Sequence, residues 1–291
     1  FDKTKIQYFT SEKRNKLSFN SEALKSEFYG KYGFVTVIWD LLIVALNLKN
    51  KPDVIYIVAE HYALVGAILS KIINVPVIIT CCGTYAYGLP KAHLLYRMAF
   101  KRADKLICIS NYTKDKVKAI LGSSKNINVV PLGINKSLFK PLSCNKKRNQ
   151  ICFVGNHKKR KGFDVVCSAM AILDANVEDL SLICVGKFHS SAMSKARELF
   201  SSFKNIEIKF FTEVSEQELV NIYQLSKVNM LPSFEFNGHF EGFGYTHIEA
   251  ICCGTWTIGA IKSGNVDAID PSNGFLLKSH SGAELAEQLS I

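Results

Sequence analysis

Short apolar runs alternate with longer amphipathic segments along most of the chain. The short runs have the length and the β-branched content of buried strands, and the longer segments repeat apolar side chains at helical spacing. The predicted strands are 5–10, 54–58, 76–80, 106–110, 127–130, 151–154, 180–185, 206–211, 228–231 and 256–260. The predicted helices are 62–73, 91–103, 113–121, 163–173, 191–203, 215–225, a segment that ends at Gly254, and 282–289, and residues 21–48 are predicted helical with a break near Gly30 and Gly33. This alternation predicts an α/β protein with parallel sheets.

A lysine-rich stretch at 141–149 divides the alternation into two series. It has no apolar period, which is typical of a link between domains. We predict two doubly wound, Rossmann-like domains, at residues 1–142 and 150–291, joined by a linker at 143–149. Ligands of such sheets bind beyond the carboxyl ends of the strands, so we expect the site in a cleft that the two domains face.

The charge is unevenly divided between the two halves. Residues 1–150 hold 24 Lys and Arg against 9 Asp and Glu, a net charge of +15, whereas residues 151–291 hold 12 against 16, a net charge of −4. A domain this basic is suited to nucleic acid, to an anionic membrane surface or to an anionic acceptor. A lysine-rich solvated surface is an equally simple interpretation.

Hydropathy and cysteine content narrow the class of protein. The chain is 48% hydrophobic, yet it lacks a run of about 18 apolar residues of the kind that spans a bilayer. Its nine cysteines have neither disulfide-framework nor metal-ligand spacing. We predict a cytoplasmic protein with free thiols and without a structural metal.

The stretch from 231 to 254 carries the strongest site signal. A strand ends there, a loop follows, and Gly242 and Gly244 stand where the loop enters the next helix. Backbone N–H groups at a helix N-terminus bind phosphate, and glycines allow a ligand to approach them. Glu241 and Glu249 frame this turn and suit the hydroxyl groups at two ends of a ligand. The alternative is an ordinary glycine loop with a solvated glutamate.

A basic run follows the first strand of the second series. Gly155 and Asn156 are followed by His157 and four consecutive basic residues, of which Arg160 and Lys161 are the last. Cations at the carboxyl end of a strand stabilise negative charge on a departing diphosphate. A solvated loop is the alternative.

Together these segments resemble the signature of retaining nucleotide-sugar glycosyltransferases of family 4, which have the GT-B fold of two Rossmann-like domains. The resemblance lies in Glu241, seven intervening residues, Glu249 and the following Ala250, together with the Arg160-Lys161-Gly162 run. It implies that Glu249 binds the ribose of the donor and that Glu241 contacts the transferred sugar.

The resemblance also implies that Lys161 holds the donor diphosphate. Many family members have a second cation, an Arg, where this chain has Asn156. Arg160 or Lys158 is the candidate replacement. The implied catalytic residues are Glu241, Lys161 and Arg160, and the implied donor-binding residues are Glu249, Gly242, Phe243, Gly244, Tyr245, Gly155 and Asn156.

On the acceptor side the resemblance points to Cys82, Gly83 and Ser110. The family usually has His-Gly where this chain has Cys82-Gly83, so either Cys82 retains a lesser positional role or the imidazole is dispensable. The family's opening glycine turn and closing helix are not visible, which predicts a chain truncated at both ends.

The implied function is transfer of a sugar from a nucleotide-diphosphate donor to an acceptor hydroxyl, with retention and without a metal or other cofactor. The expected acceptor is a lipid-linked saccharide or another saccharide in envelope, lipopolysaccharide or exopolysaccharide assembly, with a peripheral location on the membrane's inner face. No nucleic acid partner is expected. The rivals are a non-catalytic GT-B-like module that binds an anionic partner, and a nucleotide-sugar epimerase.

Overall fold

The computed structural model describes residues 8–10, 21–23, 38–46, 48, 50–58, 60–83, 93–122, 126–142 and 149–290. Contacts within the chain group it into two units. Unit 1 is Phe1–Ile107 with Val117–Asn128, and unit 2 is Cys108–Lys116 with Val129–Ile291. The domain bounds predicted from the sequence stay a prediction, and residues 143–148 of the predicted linker lie outside the described residues.

Strands and helices alternate through most of the described chain. The strands are β1 Tyr8–Thr10, β2 Ser21–Ala23, β3 Ile55–Val58, β4 Val77–Cys81, β5 Lys105–Cys108, β6 Ile127–Val129, β7 Gln150–Val154, β8 Leu180–Val185, β9 Ile206–Phe211, β10 Val228–Met230, β11 Trp256–Ala260 and β12 Gly274–Leu277. The helices are α1, residues 38–46, and α2 Ala63–Ile73, α3 His93–Arg102, α4 Asn111–Leu121, α5 Phe163–Leu173, α6 Ser190–Ser201, α7 Glu216–Leu225, α8 Tyr245–Cys252 and α9 Gly282–Leu289. Most of the predicted elements are confirmed to within two residues.

One prediction was wrong, and one strand was missed. Residues 21–23 form a strand that pairs in parallel with β1, where the sequence predicted helix. Strand β12 was not predicted, because its short segment follows Asp270, Pro271 and Asn273, residue types that dominate turns. It nevertheless pairs in parallel with β11 at the edge of a sheet.

The larger sheet has six strands in the order β12-β11-β10-β7-β8-β9. All its pairs are parallel. This is the Rossmann order, in which the chain starts in the middle of the sheet, builds one half outwards and then returns to build the other. Its switch point lies between β7 and β10, which is where such sheets bind ligands. The smaller sheet has the order β3-β4-β5-β6.

Strand β7 shows why the larger sheet is buried on both faces. Ile151 and Phe153 belong to one apolar cluster, together with side chains of α5 and α9. Cys152 and Val154 belong to another, together with side chains of α7 and α8. Alternate side chains of a strand point to opposite faces, so a continuous apolar run is what helices on both sides require.

Among the described residues, no helix has both the length and the apolar character needed to span a membrane. The cysteines within that part of the chain are free thiols. In the same residues, no group of three His, Cys, Asp or Glu side chains is arranged to hold a metal ion.

Candidate functional site

Two connections leave the six-stranded sheet at its switch point. One is the turn at 155–162 between β7 and α5, and the other is the loop at 231–244 between β10 and α8. The backbone N–H of Phe234 in the loop donates to the carbonyl oxygen of Arg160 in the turn, at 2.8 Å. The basic run and the glycine-bearing loop are therefore in contact. The sequence analysis could identify them only as two separate segments.

Glycine is required where these connections meet. Gly162 ends a turn of 3₁₀ helix, Lys159–Lys161, and has a φ of +74°. A Cβ atom at this position would lie 2.5 Å from the carbonyl oxygen of Pro232. Any side chain would push the loop away, so Gly162 sets how closely the cations approach it.

Glu241 accepts charged hydrogen bonds from both predicted cations. Its Oε2 lies 2.8 Å from Nη1 of Arg160 and also accepts from Nζ of Lys161. The exposed fractions of the three side chains are only 13% to 17%. Two cations against one carboxylate leave a net positive charge in a shielded place, and this suits an anionic ligand.

Burial and charge act in opposite directions on this cluster. Burial raises the pKa of Glu241, but Lys161 and Arg160 oppose it and hold that pKa below its usual range. Burial also lowers the pKa of Lys161, an effect that Glu241 partly offsets. Glu241 is therefore a carboxylate in the folded protein, not a carboxylic acid.

The loop reaches α8 through backbone contacts that fix its course. The carbonyl oxygen of Gly242 accepts from the hydroxyl of Ser110 at 2.6 Å and from that of Thr113 at 3.1 Å. The backbone N–H of Gly264 donates to the carbonyl oxygen of Glu241 at 2.7 Å. Ser110, predicted for the acceptor side, is thus seen to orient the glycine loop.

Gly244 turns the loop into α8. It is the N-cap of the helix, with a φ of +78°, and a Cβ atom there would lie 2.7 Å from Oδ1 of Asn265. The backbone N–H groups of the first turn of a helix have no partner within the helix, and they carry the positive end of its dipole. Gly244 therefore places the N-terminus of α8 at the end of the loop, and anion binding there stays a prediction.

Glu249 has a different environment from Glu241. Its Oε2 accepts from the hydroxyl of the fully buried Tyr223 at 2.8 Å. Burial raises the pKa of Glu249, and the Tyr223 hydrogen bond offsets part of this. No local pattern marks Tyr223 as a site residue, because it occupies an ordinary apolar position of an amphipathic helix.

Buried polar side chains form hydrogen bonds between α8 and the strands beneath it. Nδ1 of His247 forms hydrogen bonds with Thr257 and Asn229, all three wholly buried. Burial lowers the pKa of His247 to about 4, so the ring is neutral at physiological pH. The sequence analysis missed these residues, because no local pattern shows that His247, Thr257 and Asn229 meet in the fold.

The other predicted donor-side residues have local roles. Oδ1 of Asn156 accepts from the backbone N–H of Lys187 at 2.9 Å, which ties the turn after β7 to the turn after β8. The backbone N–H of Gly155 donates to the carbonyl oxygen of Val185 at 2.9 Å. Phe243 is buried, and the hydroxyl of Tyr245 donates to the carbonyl oxygen of Gly133 at 3.0 Å.

In unit 1, Cys82 and Gly83 follow β4 at the carboxyl end of the smaller sheet. Their backbone N–H groups donate to the two carboxylate oxygens of the buried Glu60, at 2.8 and 2.9 Å. The sequence analysis missed Glu60. A carboxylate two residues beyond the predicted strand 54–58 is the signal that would have found it.

Comparisons with known proteins test the predicted family and the predicted fold. The family model described as Glycosyl transferases group 1 matches residues 135–290, and the one described as Glycosyltransferase Family 4 matches residues 8–138. An uncharacterized glycosyltransferase of Methanocaldococcus jannaschii is 28% identical over 97% of this chain and 76% of its own length. A GDP-mannose-dependent phosphatidylinositol monomannoside mannosyltransferase of Corynebacterium glutamicum is 24% identical over 69% of this chain and 56% of its own length.

Solved structures match the fold across most of the chain. Anabaena HepE in complex with UDP and glucose has a TM-score of 0.72 and 18% identity, over 93% of this chain and 75% of its own. Sucrose-phosphate synthase of Thermosynechococcus elongatus has a TM-score of 0.75 and 19% identity, over 92% of this chain and 72% of its own.

The two parallel α/β sheets therefore define a protein of the GT-B class, which confirms the predicted fold. The chain belongs to the glycosyl transferases group 1 family, whose model matches more than half of it. This confirms the predicted family and the prediction of a glycosyltransferase enzyme.

Proposed function

We propose that this protein transfers a sugar from a nucleoside diphosphate donor to an acceptor hydroxyl, with retention of the anomeric configuration. The observation that carries the proposal is the cluster of Arg160, Lys161 and Glu241 at the switch point of the sheet. The ligands in the structure of Anabaena HepE, UDP and glucose, support a nucleotide sugar as the donor class.

The electrostatics suggest how the donor is held. Arg160 and Lys161, with the N-terminus of α8, would compensate the charge that develops on the diphosphate as the bond to the sugar breaks. Arg160 takes the place of the second cation that the family has where this chain has Asn156. We propose that this compensation suffices without a divalent metal ion, and activity retained in the presence of a chelator tests that point.

Donor binding requires the cations to exchange partners. In the structure both cations contact Oε2 of Glu241, and a diphosphate with more negative charge than one carboxylate competes for them. Glu241 is then released to accept hydrogen bonds from sugar hydroxyls. Glu249, with one oxygen on Tyr223, accepts from the ribose hydroxyls.

On the acceptor side we propose a lipid-linked or other saccharide presented at an anionic membrane surface. The net charge of +15 in residues 1–150 supports this choice. The turn at Cys82 and Gly83, fixed by Glu60, is the proposed acceptor-side element.

A thermal-shift screen against UDP, GDP, ADP and CMP and their sugars tests the donor proposal. We expect one nucleotide to raise the melting temperature of the wild-type protein. The same nucleotide should have little effect on Glu249→Ala, and Lys159→Ala serves as the control because Lys159 contacts Asp164 instead.

Two outcomes contradict the proposal. The donor site is wrong if Glu249→Ala and Lys161→Ala bind nucleotide and turn over as the wild type does. Consumption of the donor by isomerisation, without an acceptor, would identify an epimerase instead.

A further inference from the structure

Helix α3 of unit 1 has two unlike faces. Tyr96, Ala99 and Phe100, with Ala103 just after the helix, repeat at the spacing of one helical stripe. Ala99, Phe100 and Ala103 are buried, and the rings of Tyr96 and Phe100 lie 6.1 Å apart. This stripe is the inner face of the helix, and it accounts for its packing within unit 1.

The outer face of α3 is also apolar along its centre. Leu94 and Met98, one turn apart, are 66% and 58% exposed, and the neighbouring Leu95 is 45% exposed. The inner stripe already accounts for the packing of α3 within unit 1. That packing therefore does not explain why Leu94, Leu95 and Met98 are apolar. An apolar stripe on the solvent side of a short helix indicates a surface that another phase or molecule covers.

Cations flank this outer stripe. At 3.6 residues per turn, Arg97 and Lys101 lie along one side of Leu94 and Met98, and Arg102 lies on the other. The helix contains no acidic residue. Among the described residues, it forms one ion pair, between Arg102 and Asp104 at 3.7 Å. Apolar residues at the centre with cations on both sides are typical of a helix that lies in a membrane interface.

We propose that the outer face of α3 docks on the surface of an anionic lipid bilayer. Leu94, Leu95 and Met98 enter the boundary between head groups and acyl chains, while Arg97 and Lys101 meet lipid phosphates. The net charge of +15 in residues 1–150 attracts the same surface at longer range. A second copy of this chain is disfavoured as the occupant, because its own α3 would bring like charges together.

This inference rests on the proposed function only for the location of the acceptor. Membrane docking would hold the enzyme in the plane where a lipid-linked acceptor lies. Membrane docking is measured without donor or acceptor. A failure of the docking proposal can therefore be distinguished from a failure of the proposed transfer reaction.

The experiment is co-sedimentation of the full chain with vesicles of phosphatidylcholine alone or mixed equally with phosphatidylglycerol. Two double variants remove one feature each, Arg97→Gln with Lys101→Gln, and Leu94→Gln with Met98→Gln. The matched control is Lys195→Gln with Leu199→Gln, which changes an exposed cation and an exposed apolar residue on α6 of unit 2. Melting temperatures show that each variant is folded.

The wild type and the control should bind the mixed vesicles but not phosphatidylcholine, and added salt should weaken binding. Each cation removed should lower partitioning about fivefold. The apolar variant should lose binding while it keeps its melting temperature.

The proposal is overturned if the wild type does not bind anionic vesicles, or if both α3 variants bind them as the control does. A different occupant would be indicated if the wild type does not bind vesicles but self-associates, and if the double variant Leu94→Gln with Met98→Gln abolishes that self-association. The outer face of α3 would then be covered by a second copy of the chain.

Discussion

Glu241 and Glu249 stand on either side of the same turn, yet their environments are opposite. Glu241 lies between two cations, which hold its pKa below the usual range against the effect of burial. Glu249 accepts a hydrogen bond from a neutral Tyr223, and burial raises its pKa. The pKa of a glutamate in this turn is therefore lowered on the loop and raised on the helix, because the two positions have different surroundings.

The largest expected effect concerns the cations on the Glu241 side. Lys161→Ala should lower kcat about 100- to 1,000-fold, because it removes a charge that we propose stabilises the leaving diphosphate. Steady-state kinetics with the nucleotide sugar identified by thermal shift measures this effect. Lys159→Ala should leave kcat within about twofold, since its contact is an exposed ion pair with Asp164. Equal losses in both variants would mean that the turn responds to any loss of charge.

The stability of the Glu241 cluster is the next test. Glu241→Ala should lower the free energy of unfolding by about 2 to 4 kcal/mol at neutral pH, because it leaves two shielded cations without their partner. The folded pKa of Glu241 lies below the unfolded value near 4.3, so the contribution is fully present above that value. It is lost as the pH falls through the folded pKa.

Urea unfolding of the wild type and the variant between neutral and acidic pH measures this difference. Glu207→Ala is the control, since its exposed pair with Lys209 should contribute less than about 1 kcal/mol. A difference that does not shrink on acidification would show that loss of packing, not of charge, accounts for the effect.

Glu249 should behave in the opposite way. Its folded pKa lies above the unfolded value, so its contribution to stability is present below that value and is lost as the pH rises through the folded pKa. Glu249→Gln should therefore keep or raise the free energy of unfolding at neutral pH, by up to about 1 kcal/mol. The same urea series measures it, and a marked loss of stability would remove the contrast with Glu241.

The smallest expected effect comes from the partner of Glu249. The Tyr223 hydrogen bond lowers the pKa of Glu249, so Tyr223→Phe should raise that pKa further and leave less carboxylate for the ribose contact that we propose. Nucleotide affinity should fall about fivefold, which corresponds to one hydrogen bond of about 1 kcal/mol. Calorimetric titration at several pH values checks this, and an unchanged affinity at every pH would assign Tyr223 to packing alone.

The sequence predicted the parts of the fold that depend on local pattern. Helix α5 follows from its apolar period, and β7 from a run that is buried on both faces. Strand β12 was missed because its turn-forming neighbours dominate the local signal, whereas its pairing with β11 depends on residues distant in the chain. The order of the strands was likewise not visible, because alternation predicts parallel pairing but not which strands are neighbours.

The residues of the candidate site could be named from the sequence, but their contact partners could not. The spacing of Glu241 and Glu249 and the basic run at Arg160 and Lys161 mark chemistry in the sequence itself. Their contacts depend on where β7 and β10 bring them, and no local pattern encodes that. Tyr223 and Glu60 lay outside every motif, so only the structure shows that each contacts a residue chosen from the sequence.

The position of the cluster between β7 and β10 has a consequence for how the chain folds. Val228 pairs with Ile151, so the two strands meet only after the long intervening segment has closed as a loop. Arg160 and Lys161 follow the first of these strands and Glu241 follows the second, so their ion pairs form with or after that closure. Interactions that form late affect the unfolding rate more than the folding rate. The cluster that we propose for donor binding is therefore also expected to slow the opening of the two halves of the sheet.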